Sequence, residues 1–198
     1  MHIAITGNIG SGKSSVSRIL RSLGYPVFDA DSIAKAQYEK AEVKAAINDY
    51  FHEDLYKNGV IDPACLSQLI FQDTRIEARQ FVEALIHPLA LEDLNRLAIE
   101  SKEPIVFSEV PLLYESHGET NFDRVLLVTC DDDVADKRLM EQRGLDLKEI
   151  RRRRKLQLSP KIKAILADDI IENNDNETSL VDKVSRYSDK IRSVYGKK

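Results

Sequence analysis

A glycine-rich segment near the N-terminus has the residue types of a phosphate-binding loop. Residues 7–14 match the pattern G-x-x-x-x-G-K-[ST] between an apolar segment and a helical pattern. Backbone N–H groups of such a loop can face a phosphate, Lys13 can reach the β and γ phosphates, and the Ser14 hydroxyl can bind Mg²⁺. We therefore predict that the loop binds a nucleoside triphosphate. The predicted ATP contacts are Asn8, Ile9, Gly10, Ser11, Gly12, Lys13, Ser14 and Ser15.

Two carboxylates, Asp29 and Asp31, form a second candidate site. They follow a short apolar segment that predicts a strand, and strand ends of this kind lie at the ligand-binding edge of a parallel sheet. One carboxylate can accept the proton of an attacking hydroxyl, and the other can bind Mg²⁺ through water. A structural alternative stays open at this point, since Asp31 could simply cap a helix that begins at Ser32.

The phosphate-loop motif alone does not distinguish GTPases, ATPases and small-molecule kinases. The sequence contains neither the guanine-reading motif N-K-x-D nor the switch motif D-x-x-G, and the apolar segment ending at Glu109 lacks the Asp-Glu pair of a water-activating ATPase. Elimination therefore favours a kinase. The alternatives are a nucleoside or nucleoside monophosphate kinase of the same fold and a non-kinase ATPase or switch.

The apolar patterns place these residues on an α/β fold with a parallel sheet flanked by helices, because short continuous apolar runs are typical of strands buried on both faces. Strands are predicted over residues 2–6, 26–29, 104–110, 124–129 and 169–172. Helices are predicted over 13–23, 133–142 and 148–158, from Ser159-Pro160 towards Asp168, and from a capping box at Ser179-x-x-Asp182. The region from 31 to about 101 shows only helical patterns, with helix starts at Asp62-Pro63 and Asp73, which indicates an all-helical insertion.

Charge and composition exclude several classes of partner. The 198 residues include 29 basic and 33 acidic side chains, and the net charge of −4 disfavours nucleic-acid binding. The basic run 151–155 lies in a predicted helix, which would spread its charges around all sides, so we interpret it as solvated and partly facing phosphate. No stretch of about 18 apolar residues occurs, so no membrane binding is expected.

Cysteine and histidine spacing gives no sign of a structural metal site. Cys65 and Cys130 are far apart and belong to no C-x-x-C pair, which indicates a reducing compartment and a cytoplasmic protein. The four histidines lack zinc-ligand spacing, so the only metal expected is Mg²⁺ arriving with ATP.

Six sequence segments, in the same order and over nearly the whole chain, resemble the dephospho-CoA kinase family. They are residues 7–14, 29–34, 85–88, 110–115, Gln157 and 167–173. The resemblance implies a P-loop kinase fold that phosphorylates the 3′-hydroxyl of the dephospho-CoA ribose with ATP, completing coenzyme A synthesis. Its partners would be ATP and dephospho-CoA, without a tightly bound organic cofactor. The sequence does not indicate an oligomeric state.

The resemblance also implies three regions and a set of residue roles. The core would comprise residues 1–30, 102–135 and 161–198, a helical region 31–101 would receive dephospho-CoA, and a small helical lid 136–160 would close over ATP. Asp31 would be the catalytic base, Lys13 would bind phosphate during catalysis, and Ser14 would bind Mg²⁺. His87 and Glu115 lie in matched segments and are predicted to bind substrate.

The sequence departs from the family pattern at several positions. Asn8 stands where the family usually has a second glycine, and Ser15 stands where threonine is common. In the lid the family spaces two arginines four residues apart, whereas here Arg138 is followed by Gln142 and then Arg143. Both arginines are predicted to contact ATP, although one extra residue turns Arg143 by about 100° around the helix.

Overall fold

The structure is a computed structural model that describes residues 1–52, 55–57, 60–61, 66 and 76–196. Its strands are β1 (His2–Thr6), β2 (Val27–Asp29), β3 (Tyr56–Lys57), β4 (Val60–Ile61), β5 (Val106–Glu109), β6 (Arg124–Thr129) and β7 (Asp169–Glu172). Its helices are α1 (Lys13–Ser22), α2 (Ala30–Gln37), α3 (Ala41–Phe51), α4 (Ile76–Glu100), α5 (Asp132–Arg143), α6 (Leu147–Arg154), α7 (Pro160–Leu166) and α8 (Glu177–Tyr195). These elements form two compact units, a core unit of Met1–Asp29 with the chain from Ala98 onward, and a helical unit, Ala30–Leu97.

The core unit is built on a five-stranded parallel sheet of order β2-β5-β1-β6-β7. This confirms the predicted α/β fold with a parallel sheet flanked by helices. In the register of the sheet, Ile5 of β1 and Asp29 of β2 both pair with Glu109 of β5. The carboxyl ends of the three strands therefore meet at one edge, next to the loop that joins β1 to α1.

Helices α1 and α8 cover one face of the sheet with a continuous apolar core. Its fully buried members include Ile3, Val16, Phe107 and Val184. Burial of each such side chain contributes about 1.5–3 kcal/mol. The opposite face buries a smaller cluster that includes Leu113 and Tyr114, and helix α7 follows beside it. Apolar packing on both faces explains why these strands have continuous apolar sequences.

Two predicted helix boundaries are wrong. The capping box at Ser179 does not open α8, because the Asn176 side chain accepts the Ser179 N–H and the helix begins at Glu177. The helix predicted over 148–158 ends at Arg154, since polar groups of residues 157 and 158 bond to other parts of the core unit. The Ser159-Pro160 start is confirmed, with the Ser159 hydroxyl accepting the Ile162 N–H.

The helical unit has an apolar core of its own. Buried Val43 and Ile47 of α3 pack with Val82 and Ile86 of α4. The expectation of an all-helical region is wrong, because β3 and β4 form a short antiparallel ladder. The predicted helix starts at Asp62-Pro63 and Asp73, like Cys65, lie outside the described residues. Within the described residues, no helix combines the length and the apolar character needed to cross a bilayer.

His2 is a partly buried histidine that should make stability depend on pH. Its Nε2 lies 2.7 Å from the Ser108 hydroxyl, and its ring packs edge-on against Phe122. Burial lowers the pKa of His2 from 6.5 to about 4, although the nearby Asp123 carboxylate acts in the opposite direction. The unfolded chain therefore binds the proton more readily between these values, and the free energy of unfolding falls as the pH drops through that window.

We expect this contribution to cost about 1–2 kcal/mol between about pH 7.5 and pH 5, because the ring is only partly buried. Urea unfolding of the natural protein and of His2→Gln at both pH values measures it. The variant should lose less stability on acidification by that amount. An equal loss in both proteins would contradict the assignment to His2.

Candidate nucleotide-binding site

The loop between β1 and α1 turns tightly at the N-terminus of α1. Gly10 and Gly12 have φ angles of 82° and 93°, a region that favours glycine. A Cβ atom on Gly10 would lie 3.0 Å from Ala135 of α5, so the loop is also tightly packed. Gly12 caps α1 without a side-chain hydrogen bond. The helix N-terminus is therefore directed at the loop, where its dipole favours an anion.

The Lys13 side chain is folded back into this loop and is only 8% exposed. Its ammonium donates to the carbonyl of Gly7 at 2.8 Å and to that of Asn8 at 3.2 Å. The loop carbonyls thus hold a positive charge inside the phosphate-binding segment. This arrangement suits the predicted role of Lys13 toward the β and γ phosphates.

Glu109 is a site residue that sequence reasoning missed. Its carboxylate accepts the Ser14 hydroxyl at 2.9 Å and the Ser17 hydroxyl at 2.8 Å. A serine hydroxyl that donates to Glu109 keeps its oxygen lone pairs for a cation. With exposed Asp29 next to Glu109 in the sheet register, the donors are oxygens of the kind that Mg²⁺ prefers. The signal in the sequence is a carboxylate at the end of an apolar strand.

Arg138 lies beside the phosphate loop, whereas Arg143 lies at the C-terminal end of α5. The Arg138 guanidinium donates to the Asn173 carbonyl at 2.9 Å, while the Asn173 amide donates to the Ser11 carbonyl at 2.9 Å. A Cβ on Gly12 would lie 4.0 Å from Arg138 Nη1. Arg143 is exposed at the last residue of α5, about 140° around the helix from Arg138. The position of Asn173 depends on β7, so the loop pattern gave no sign of it.

Residues 155–159, between α6 and α7, are bonded to the phosphate loop. The Ile9 N–H donates to the Gln157 side-chain oxygen at 2.9 Å, and the Asn8 side-chain amide donates to the Leu158 carbonyl at 3.0 Å. In this arrangement the Ile9 N–H is directed at Gln157 rather than at the loop centre. The predicted contact of Ile9 with ATP stays a prediction.

Glu115 lies against the same segment through a buried ion pair. One carboxylate oxygen accepts the Leu158 N–H at 2.8 Å and lies 2.8 Å from the ammonium of Lys163, which is 0% exposed. Within the described residues, the second oxygen of Glu115 is buried without a hydrogen-bond partner. The structure thus gives Glu115 a packing role, and its predicted substrate contact stays a prediction.

Three arginines of the basic run 151–155 form ion pairs within α6 or with α5. Arg152 and Arg153 both pair with Glu149 at 2.7 Å, and Arg154 pairs with Asp136 of α5. The hydrogen bonds from Arg152 and Arg153 lower the pKa of the Glu149 carboxyl to about 2. The Arg154 pair ties α6 to α5, whereas the Glu149 pairs are local to α6.

Asp31 and His87 belong to the helical unit. Asp31 is exposed in the first turn of α2, which begins at Ala30 directly after β2. The alternative that Asp31 caps a helix starting at Ser32 is therefore wrong, because Asp31 lies inside the helix. His87 is exposed on α4, one residue before Pro88.

Comparison with known proteins identifies similar sequences over most of the chain. A family model described as dephospho-CoA kinase matches residues 1–179. A dephospho-CoA kinase of Fusobacterium nucleatum is 35% identical over 192 residues, which are 96% of this chain and 98% of that protein. A dephospho-CoA kinase of Thermus thermophilus is 37% identical over 175 residues, 86% of this chain and 82% of that protein.

Solved structures give the same picture for the fold. A crystal structure of a Thermus thermophilus protein superposes with a TM-score of 0.83 at 32% identity, covering 98% of this chain and 96% of that one. The dephospho-CoA kinase from Campylobacter jejuni has a TM-score of 0.73 at 26% identity, with 96% of both chains covered. A shikimate kinase from Acinetobacter baumannii, at 16% identity and a TM-score of 0.56, covers 97% of this chain and 93% of its own and shares the fold.

Proposed function

The chain belongs to the dephospho-CoA kinase family, and from this premise we propose how its residues phosphorylate dephospho-CoA. The reaction is the ATP-dependent phosphorylation of dephospho-CoA in coenzyme A synthesis. The observation that carries the residue-level proposal is the Ser14 hydroxyl bonded to Glu109 at the mouth of the phosphate loop. The proposal includes Mg²⁺ delivered with ATP, no tightly bound organic cofactor, and action in the cytoplasm.

The loop residues Asn8 to Ser15 and the N-terminus of α1 bind the triphosphate in this proposal. Lys13 compensates the charge of the β and γ phosphates, and Arg138 approaches them from α5. Ser14, with Glu109 and Asp29 behind it, fits Mg²⁺, which supplies charge neutralisation of the phosphate oxygens when bound. Arg143 would reach ATP only if the lid 136–160 moves toward the loop, a closure that would also exclude water.

The transfer step needs one base and one leaving group. The 3′-hydroxyl oxygen of the dephospho-CoA ribose forms a bond to the γ phosphorus, and its proton passes to the Asp31 carboxylate. The bond between the γ phosphorus and the bridging oxygen breaks, and ADP leaves with that electron pair. We propose that residues 31–101 receive dephospho-CoA. His87 is exposed there, and Glu115, outside that region, stays a second candidate for contact with the acceptor.

A direct acceptor test decides the function. The purified protein is incubated with ATP and Mg²⁺ and separately with dephospho-CoA, adenosine, AMP or cytidine, and products are identified by mass. We expect coenzyme A and ADP from dephospho-CoA alone. Product from a nucleoside or AMP instead would replace the acceptor, and ATP hydrolysis without any phosphorylated acceptor would support a non-kinase ATPase.

Replacement of Glu109 by glutamine tests the proposed metal-positioning group. The amide oxygen can still accept the Ser14 hydroxyl, but the negative charge that draws Mg²⁺ is lost. We expect the Mg²⁺ concentration for half-maximal activity to rise about tenfold, since one charge-assisted contact contributes about 1.4 kcal/mol or more. Glu172→Gln, an exposed carboxylate at the end of edge strand β7, is the matched control and should leave it unchanged. Equal Mg²⁺ dependence in all three proteins would remove Glu109 from the metal site.

A further inference from the structure

We propose that Asn8 is a positioning residue that couples the phosphate loop to residues 155–159, which we term the lid-base segment. Asn8 occupies the position where the resembled family usually has glycine, and its amide donates to the Leu158 carbonyl across 150 residues of sequence. A glycine has no side chain to make this bond. The Asn8 side chain therefore links the phosphate loop to the lid-base segment.

Two side chains hold the backbone of Leu158. Asn8 donates to the Leu158 carbonyl at 3.0 Å, and Glu115 accepts the Leu158 N–H at 2.8 Å. Glu115 is itself fixed by fully buried Lys163 of α7. Glu115 and Lys163 hold Leu158 in place from the α7 side. The bond from Asn8 therefore fixes the phosphate loop and the lid-base segment relative to each other.

A second hydrogen bond joins the same two segments. The Ile9 N–H donates to the Gln157 side chain at 2.9 Å, so consecutive loop residues bond to consecutive residues of the lid-base segment. Asn8 thus adds a bond to an existing contact, which narrows the range of positions that the segment samples before ATP arrives.

Preorganisation of this kind lowers the cost of ordering the site on binding. Without the Asn8 bond, ATP must supply the ordering of both loop and lid base, and its affinity falls. The bond also opposes local opening of the lid-base segment, because openings of this type are governed by the contacts that they break. Both effects should be of the size of one neutral hydrogen bond, about fivefold.

Tryptic cleavage within the run 151–155, whose last residue begins the lid-base segment, measures local opening without any substrate. Asn8→Ala removes the amide without adding backbone freedom, and Asn8→Asp keeps the shape but replaces the donor by an acceptor. We expect both variants to be cleaved in the run about fivefold faster than the natural protein. Asn121→Ala is the matched control, because it removes a side-chain amide that donates to the Gly118 carbonyl elsewhere in the core unit. This variant should be cleaved in the run at the natural rate.

Calorimetric titration with ATP and Mg²⁺ gives the second readout. Asn8→Ala should raise the Kd for ATP about fivefold while its melting temperature stays within about 2 °C of the natural value. Two cleavage results would overturn the proposed coupling by Asn8: a natural rate in both Asn8 variants or in Asn8→Asp alone, and faster cleavage throughout the chain. An unchanged Kd for ATP in Asn8→Ala would also overturn it.

The ATP titration rests on the proposed function, but neither measurement uses dephospho-CoA. Failure to form coenzyme A would therefore contradict the proposed acceptor and leave this inference standing.

Discussion

Asp31→Asn is expected to lower kcat for coenzyme A formation by about 10²–10⁴-fold while leaving the Kd for ATP within about twofold. An asparagine amide has nearly the shape of the carboxylate but cannot accept the proton of the ribose hydroxyl, and general-base catalysis contributes an effect of this size. Single-turnover phosphoryl transfer and calorimetric ATP binding, measured on the same preparation, separate the two quantities.

The matched control is Glu42→Gln, which removes a carboxylate from the first turn of α3 in the same unit. Both variants lose a favourable interaction with a helix N-terminus, but only Asp31 follows directly after β2. The control should keep its turnover within about twofold, because that helix-end interaction is typically worth less than 1 kcal/mol. Normal turnover by Asp31→Asn would remove Asp31 from the mechanism and point to Asp29 as the next candidate base.

Gly7→Ala is expected to be the most destabilising glycine substitution in the phosphate loop. Gly7 has a φ of 154°, and a Cβ atom there would overlap the backbone carbonyl oxygen of Val128 in β6 and crowd the Ser11 hydroxyl. A carbonyl within a paired strand cannot move aside without breaking the sheet. We expect a loss of roughly 3–5 kcal/mol, or a fall in the melting temperature of about 6–20 °C for a chain of this length.

Gly24→Ala separates the steric overlap from backbone strain alone. Gly24 also has a positive φ, 89°, but nothing lies within 4 Å of the position that a Cβ atom would occupy. Its substitution should cost only the strain of a left-handed residue, about 1–2 kcal/mol. Thermal unfolding of both variants by circular dichroism gives the comparison. Equal melting temperatures for the two variants would show that β6 gives way and that the overlap carries no cost.

The sequence predicted the strands well because their burial is a local property of composition. Strands β1, β6 and β7 have the predicted bounds, since each has apolar residues at its centre and a polar residue at both ends. The phosphate loop was equally predictable, because the chemistry of a phosphate cradle needs glycines and a lysine at fixed spacing.

The remaining differences come from contacts between distant parts of the chain. The helix expected to reach residue 158 ends at Arg154, because Gln157 and Leu158 bond to the loop and to Glu115 instead. Glu109 was overlooked since its role depends on which strand lies beside β1, and strand order cannot be read from a local pattern. For α8, two nearby polar candidates for the cap, Asn176 and Ser179, have similar intrinsic preference, and the structure uses the first.

The order of the strands has a consequence for how the protein matures during synthesis. Central strand β1 cannot pair with its neighbour β5 until the helical unit between them in sequence has been synthesised. Strand pairings over such a separation form slowly. The helical unit has its own core and is complete earlier in translation. Asn173, which fastens the loop at Ser11 and orients Arg138, emerges only after β7. A nascent chain therefore contains the complete loop motif long before its nucleotide site is braced, because 162 residues separate Ser11 from Asn173.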